Sequence, residues 1–113
     1  MKVTGRFAPS PSGRIHLGNI LCCLLAWLSV RQQEGHMVLR IEDLDTARCP
    51  QRYARQMMED LHWLGLDWDE GPEVGGSNGP YFQSRRTHRY QAALERLDAQ
   101  GRVCPCFCTR GEL

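Results

Sequence analysis

The chain has 113 residues, 42% of them hydrophobic and 24% charged, with a formal net charge of +1. These values fit one folded unit with a modest core, or a piece of a larger one, and leave no room for a low-complexity chain. The longest apolar run, Ile20 to Val30, is too short to cross a bilayer and is broken by Ser29. Of the 14 basic residues all but Lys2 are arginine. That choice suits two-pronged contacts to carboxylate and phosphate, and equally a GC-rich genome.

Val3 to Ala8 reads as a short strand. A helix follows from about His16 to Glu34, with Gly35 as its stop. Its run from Ile20 to Val30 is too apolar for a surface helix, so burial is expected, with Cys22 and Cys23 as small buried residues. Met37 to Ile41 is a second strand, ending in Glu-Asp-Leu-Asp. Pro50 suits the first turn of a second helix. Tyr53, Met57, Leu61 and Leu64 give that helix an apolar face, and Gly65 closes it. Asp67 to Pro80 is a loop. Ser84 suits an N-cap for a third helix striped by Tyr90, Leu94 and Leu97, and Gly101 ends it. Arg102 to Phe107 is expected to be a third strand. The order predicts an α/β layered fold: a Rossmann-like parallel sheet with flanking helices, here the first half of a doubly wound domain.

The segment Arg6 to Leu28, "RFAPSPSGRIHLGNILCCLLAWL", carries the main functional signal. It leaves the carboxyl end of a strand, where open α/β sheets collect ligands. It then feeds a helix amino terminus, whose free N–H groups favour anions. Pro9 and Pro11 stiffen the approach and hold Arg6 and Ser10 in place. Gly18 lets a ligand lie against backbone, and His16 can donate to a phosphate oxygen. Neither G-x-G-x-x-G nor a Walker loop is present, so a nucleotide is held by another device.

"RFAPSPSGRIHLGN", "LRIEDLDTAR" and "LGLDWDEGP" together resemble the glutamyl-tRNA synthetase group of class I aminoacyl-tRNA synthetases, across essentially all of the chain. "HLGN" is similar to that family's His-x-Gly-x signature, with Asn19 where many class I enzymes carry histidine. The wording of the first motif and "CFCTR" most resemble the group's short branch, which has no anticodon-binding domain. The resemblance implies ATP-dependent activation of L-glutamate, with Mg²⁺ riding on the phosphates. It also implies transfer to the queuosine base of tRNA(Asp), with charging of tRNA(Glu) at its 3' end as the alternative. It implies a glutamate pocket of Arg6, Ala8, Ser10 and Glu42. His16 and Gly18 would be the catalytic signature, and with Asn19 they would hold the nucleotide. Asp45 and Arg48 would lie near the acceptor nucleoside.

On the residues themselves, Arg6 can fork onto a carboxylate and Glu42 can hold an ammonium group. Asp43 and Asp45 suit either a shared metal or a cap that positions a helix. Cys106 and Cys108 can share a zinc, with Cys104 a third candidate. The resemblance supplies two further ligands from downstream. Residues 1–113 are thus expected to be the N-terminal part of a catalytic domain, ending within a zinc-binding segment from about residue 104. The resembled family's phosphate-clamping loop is not among them, so little or no turnover is expected of them alone.

Cysteines without a leader point to a reducing cytoplasm, and a monomer away from membranes is expected. His36, His62 and His88 join no constellation. Trp27, Trp63 and Trp68 suit packing. Arg85, Arg86 and Arg89 read as a solvated face. Two other classes fit parts of the sequence: a small nucleotidyltransferase, and a zinc-bearing RNA-binding module.

Overall fold

The computed structural model describes residues 2–112. The elements run β1 (Thr4–Phe7), α1 (Leu17–Arg31), β2 (His36–Leu39), α2 (Gln51–Trp63), a 3₁₀ turn (Gln83–Arg86) and α3 (Thr87–Asp98). β1 and β2 pair in parallel, with Thr4 opposite His36, Arg6 opposite Val38 and Phe7 opposite Leu39. The ladder continues past the strands: Arg40 N donates to Phe7 O at 3.0 Å and Glu42 N to Pro9 O at 2.9 Å. This is the expected α/β architecture with a parallel sheet.

Alternation along this extended ladder sorts side chains to two faces. Phe7, Pro9 and Pro11 on one strand are buried, as are Met37, Leu39 and Ile41 on the other. Of these, Phe7, Met37, Leu39 and Ile41 join Val30 of α1 and Ala54, Met57, Met58 and Leu61 of α2 in a single core. Arg6 and Ser10 stay exposed, and Ala8, Arg40 and Glu42 are half-buried.

No strand forms over Arg102–Phe107. The edge of β2 is already taken by the returning loop: Leu39 N donates to Glu70 O, Ile41 N to Tyr81 O, and Gln83 N to Ile41 O, each at 2.8 Å. Isolated parallel bridges, Val38 to Glu70 and Ile41 to Phe82, stand along that edge in place of a strand.

α1 is not a buried helix. Only Cys23 and Val30 of it are buried, whereas Leu17, Leu21, Leu25 and Leu28 are 82%, 55%, 58% and 48% exposed. Cys22 faces solvent too, while the buried Cys23 thiol is pushed up to about 11 by desolvation. Trp63 is 86% exposed, against the packing expected of it. α3 buries no residue, so its apolar stripe is uncovered as well.

The end of α1 also differs. Glu34, not Gly35, takes the left-handed conformation, with φ of 51°. Gly35 serves close approach: a Cβ there would lie 2.7 Å from Val3 O and 2.8 Å from Val30 Cγ1. Gly65 and Gly101 end α2 and α3 at positive φ, as expected.

The loop from Leu66 to Phe82 is pinned by charge. Arg31 Nη1 reaches Asp69 Oδ2 at 2.7 Å and its Nη2 reaches Asp67 Oδ1 at 2.8 Å. Trp27 Nε1 donates to the same Asp67 oxygen at 2.7 Å. Burial works to raise the Asp67 carboxyl, but these donors outweigh it and hold the group below its ordinary value. Glu70 is buried and accepts from Tyr81 Oη at 2.7 Å and from Asn78 Nδ2 at 2.9 Å. Those two bonds, ahead of the His36 contact, draw its carboxyl down to about 2. Among the described residues no helix is long and apolar enough to cross a membrane.

Candidate functional site

Strand alternation places four sequence-predicted residues on one face. Arg6, Ala8 and Ser10 follow each other at steps of two along the first strand and its extension. Glu42 lies on the same face of the neighbouring strand, by the ladder contact to Pro9. Two adjacent hollows open there. One, of about 330 Å³, is walled by Arg6, Arg40, Asn78, Tyr81, Arg86 and Arg89. The other, of about 340 Å³, holds Ser10, Glu42, Asp45 and Arg48. Each is large enough for an amino-acid-sized group.

Arg6 and Glu42 therefore share a face but line different hollows. The partition between them is Arg40, which lines the first hollow and donates from Nη2 to Glu42 Oε1 in the second. Sequence reasoning missed Arg40. The available signal was the spacing of Val38, Arg40 and Glu42 on one strand, which puts all three on one side.

The acidic turn divides its work. Asp43 is buried and accepts from Ser84, from N at 2.9 Å to Oδ1 and from Oγ at 2.8 Å to Oδ2. Ser84 is thus no N-cap of α3; it lies inside the 3₁₀ turn, and α3 begins at Thr87. Asp45 Oδ1 accepts from Arg48 N at 3.1 Å, and Asp45 O from Cys49 N at 2.9 Å. Both aspartates position backbone. Among the described residues no three His, Cys, Asp or Glu side chains are grouped to hold a metal.

His16 is the residue before the first turn of α1, in extended conformation, with no side chain bonded over the helix end and no acidic residue in the first turn. Ile20 N closes the first helical bond on His16 O at 3.1 Å. The N–H groups of Leu17, Gly18 and Asn19 precede that bond, so the helix itself does not use them. The His16 ring lies over Gly18, where a Cβ would sit 3.2 Å from both Cε1 and Nδ1. His16, Gly18 and Asn19 line neither hollow.

Arg85 and Arg89 are exposed, as a solvated face would be, but Arg86 is half-buried and two of the three bond the loop. Arg86 Nη1 donates to Pro80 O, and Arg89 Nη2 to Gly79 O, each at 3.1 Å. They fix the loop that walls the first hollow. Cys104, Cys106 and Cys108 are exposed free thiols. A structural zinc needs four ligands, and the described residues assemble no such set.

The chain is similar to known proteins along its whole length. It is 58% identical over 109 residues to a glutamyl-Q tRNA(Asp) synthetase of Symbiobacterium thermophilum, covering 96% of this chain and 34% of that protein. It is 53% identical over 108 residues to glutamate–tRNA ligase 2 of Nitrosococcus oceani, covering 96% of this chain and 23% of that one. A glutamate tRNA ligase of Elizabethkingia meningosepticum, solved in complex with its amino acid, superposes with a TM-score of 0.83 at 37% identity. That match covers 99% of this chain and 22% of the other. The chain thus spans about a third, or less, of the length of these relatives. The model of the class I tRNA synthetase (E and Q) catalytic domain matches residues 2–113, and the chain belongs to that family.

Proposed function

We propose that residues 1–113 form the N-terminal part of a catalytic domain that activates L-glutamate with ATP and passes it to the queuosine base of tRNA(Asp). The observation that carries this reading is the shared sheet face. It presents the Arg6 guanidinium, which makes no hydrogen bond or ion pair among the described residues, and the Glu42 carboxylate, across two adjoining hollows. An acidic amino acid has a carboxylate for the first and an ammonium for the second. Ala8 and Ser10 lie between these two charges along the strand.

In the chemistry, a carboxylate oxygen of glutamate attacks the α-phosphorus of ATP, and pyrophosphate leaves. No covalent nucleophile from the protein is needed. Catalysis rests on positioning and on stabilising spread negative charge. The free N–H groups at the tip of α1 and the exposed His16 ring suit that charge, while Gly18 leaves space beside the ring. Mg²⁺ would travel with the phosphates. The resulting glutamyl-adenylate is attacked by a hydroxyl of the RNA, and AMP leaves. Asp45 and Arg48, beside Glu42 in the second hollow, are our candidates for the acceptor nucleoside. Zinc on Cys106 and Cys108, with or without Cys104, would need further ligands and would serve structure.

The choice of tRNA(Asp) is supported by the 58% identity to a glutamyl-Q tRNA(Asp) synthetase. The 53% identity to a glutamate–tRNA ligase favours tRNA(Glu) as the second reading. Two assays on the full-length gene product decide. Pyrophosphate exchange into ATP should depend on glutamate. Labelled glutamate should then pass to queuosine-containing tRNA(Asp) and not to the unmodified tRNA. Transfer to tRNA(Glu) instead would establish the second reading, and exchange driven by another acid would overturn both.

A further inference from the structure

Arg40 touches no group in the proposed chemistry except Glu42, yet it stands between the two hollows. Its guanidinium donates from Nη2 to Glu42 Oε1, and its Nε is buried. Its side chain is only 23% exposed, so it is not free to swing in solvent. Glu42 Oε2 makes no bond among the described residues and is the oxygen left for a ligand. We infer that Arg40 is a positioning and specificity residue: it orients Glu42 to receive the substrate's ammonium and adds the positive charge that selects an acidic over an amide side chain. The inference rests on the reading of Glu42 as the ammonium partner.

Two physical effects lie behind it. A glutamate side chain has three rotatable bonds, and an unheld Glu42 would lose that freedom whenever substrate bound. Fixing it beforehand through Arg40 removes that cost from the binding step. The second effect is charge balance. Arg6, Arg40 and Glu42 are two cations and one anion. Free glutamate carries two carboxylates and one ammonium, the complementary set. Arg86 and Arg89 also wall the first hollow, but each is tied to a loop carbonyl. Without Arg40 the groups left on either side of the partition are Arg6 and Glu42, which match the one carboxylate and one ammonium of glutamine. Arg40 also draws field away from Glu42, which weakens its pull on the ammonium. That loss is offset because Glu42 keeps a free oxygen.

The test is glutamate-dependent ATP–pyrophosphate exchange by the full-length gene product and its Arg40→Met and Arg40→Lys variants. Arg40→Met should raise the KM for glutamate roughly 10- to 100-fold while the KM for ATP stays within about twofold. It should also lower the ratio of kcat/KM for glutamate over glutamine. Arg40→Lys keeps the charge and should recover the selectivity and part of the KM. Paired with Glu42→Gln, Arg40→Met should add little to the loss that runs through ammonium binding, because that part passes through one carboxylate, while the glutamate-over-glutamine ratio should still fall. A loss shared equally by the glutamate and ATP constants, with selectivity unchanged, would mean a merely structural residue and would overturn the inference. Unchanged glutamate kinetics in Arg40→Met would do the same and leave the proposed function standing. Absence of glutamate-dependent exchange in the parent protein would overturn that reading and this inference together.

Discussion

His16 and Gly18 act as one unit, because the histidine ring fills the space that the glycine leaves. A methyl group on Gly18 would meet the ring at 3.2 Å, and the ring is exposed and able to move aside. Gly18→Ala should therefore leave the melting temperature unchanged yet displace the His16 ring, our proposed phosphate donor. We expect kcat for pyrophosphate exchange in the full-length gene product to fall about tenfold or more. His16→Ala removes the donor itself and should cost roughly 10- to 100-fold in kcat, with little change in the KM for glutamate. Equal exchange rates for parent and both variants would remove the helix tip from the mechanism. A contrasting glycine shows what structure alone demands. Gly35→Ala puts a Cβ 2.7 Å from a backbone oxygen, an overpacking that costs about 1–3 kcal/mol in urea unfolding. Gly13→Ala meets nothing within 4 Å and should stay within about 0.5 kcal/mol.

The elements depend on one loop, and among the carboxylates that hold it Glu70 gathers the most partners. Glu70 gathers Tyr81, Asn78, Ser77 and His36, and its backbone extends the sheet at Leu39. Tyr81 and Asn78 lower its carboxyl from 4.5 to about 2. A depressed acid stabilises the fold above its unfolded value and loses that contribution as pH falls through its folded value. Thermal midpoints should therefore drop between about pH 4.5 and about pH 2, and Glu70→Gln should flatten that part of the profile. A Glu70→Gln profile parallel to the parent's would assign the acid sensitivity to other groups.

This loop also marks where the sequence could be read and where it could not. The short apolar runs Val3 to Ala8 and Met37 to Ile41 marked the two strands, because that signal is local, and the proline-rich run into His-Leu-Gly-Asn marked the link from the first strand to the tip of α1. The third strand failed because pairing needs a free edge, and Glu70, Tyr81 and Gln83 occupy the edge of β2 through backbone bonds. Ser84 looked like a cap because a serine's local preference was read, whereas its partner, Asp43, lies 41 residues earlier. Arg40 was missed because its spacing to Glu42 marks a shared side of the strand but names no partner until the strand is folded.

At the scale of the whole molecule, the dominant feature is apolar surface that the 113 residues leave open. Leu17, Leu21, Leu25 and Leu28 recur at steps of three and four along α1, all at least 48% exposed, with Trp63 at 86% near the tip of that helix. Leu17 and Trp63 line one hollow of about 460 Å³, together with Ile15, Ile20 and Leu64. Such a stripe is what one layer of a doubly wound fold shows when its second layer is absent. The internal core is nevertheless complete around Leu61, Ile41 and Met37, each at most 2% exposed. The two observations predict different things for residues 1–113 expressed alone. The core should hold the fold, and Leu61→Ala should cost about 2–5 kcal/mol. The open stripe should bind an apolar dye and drive self-association at micromolar concentration, since association buries roughly 25 cal/mol of favourable free energy per Å² of apolar surface. Replacing Leu21 and Leu28 by glutamate should then disperse the assemblies, seen by light scattering, without lowering the unfolding free energy by more than about 1 kcal/mol, because both side chains already face water. A monomer with no dye binding before the substitutions would mean that the stripe is satisfied by the chain itself.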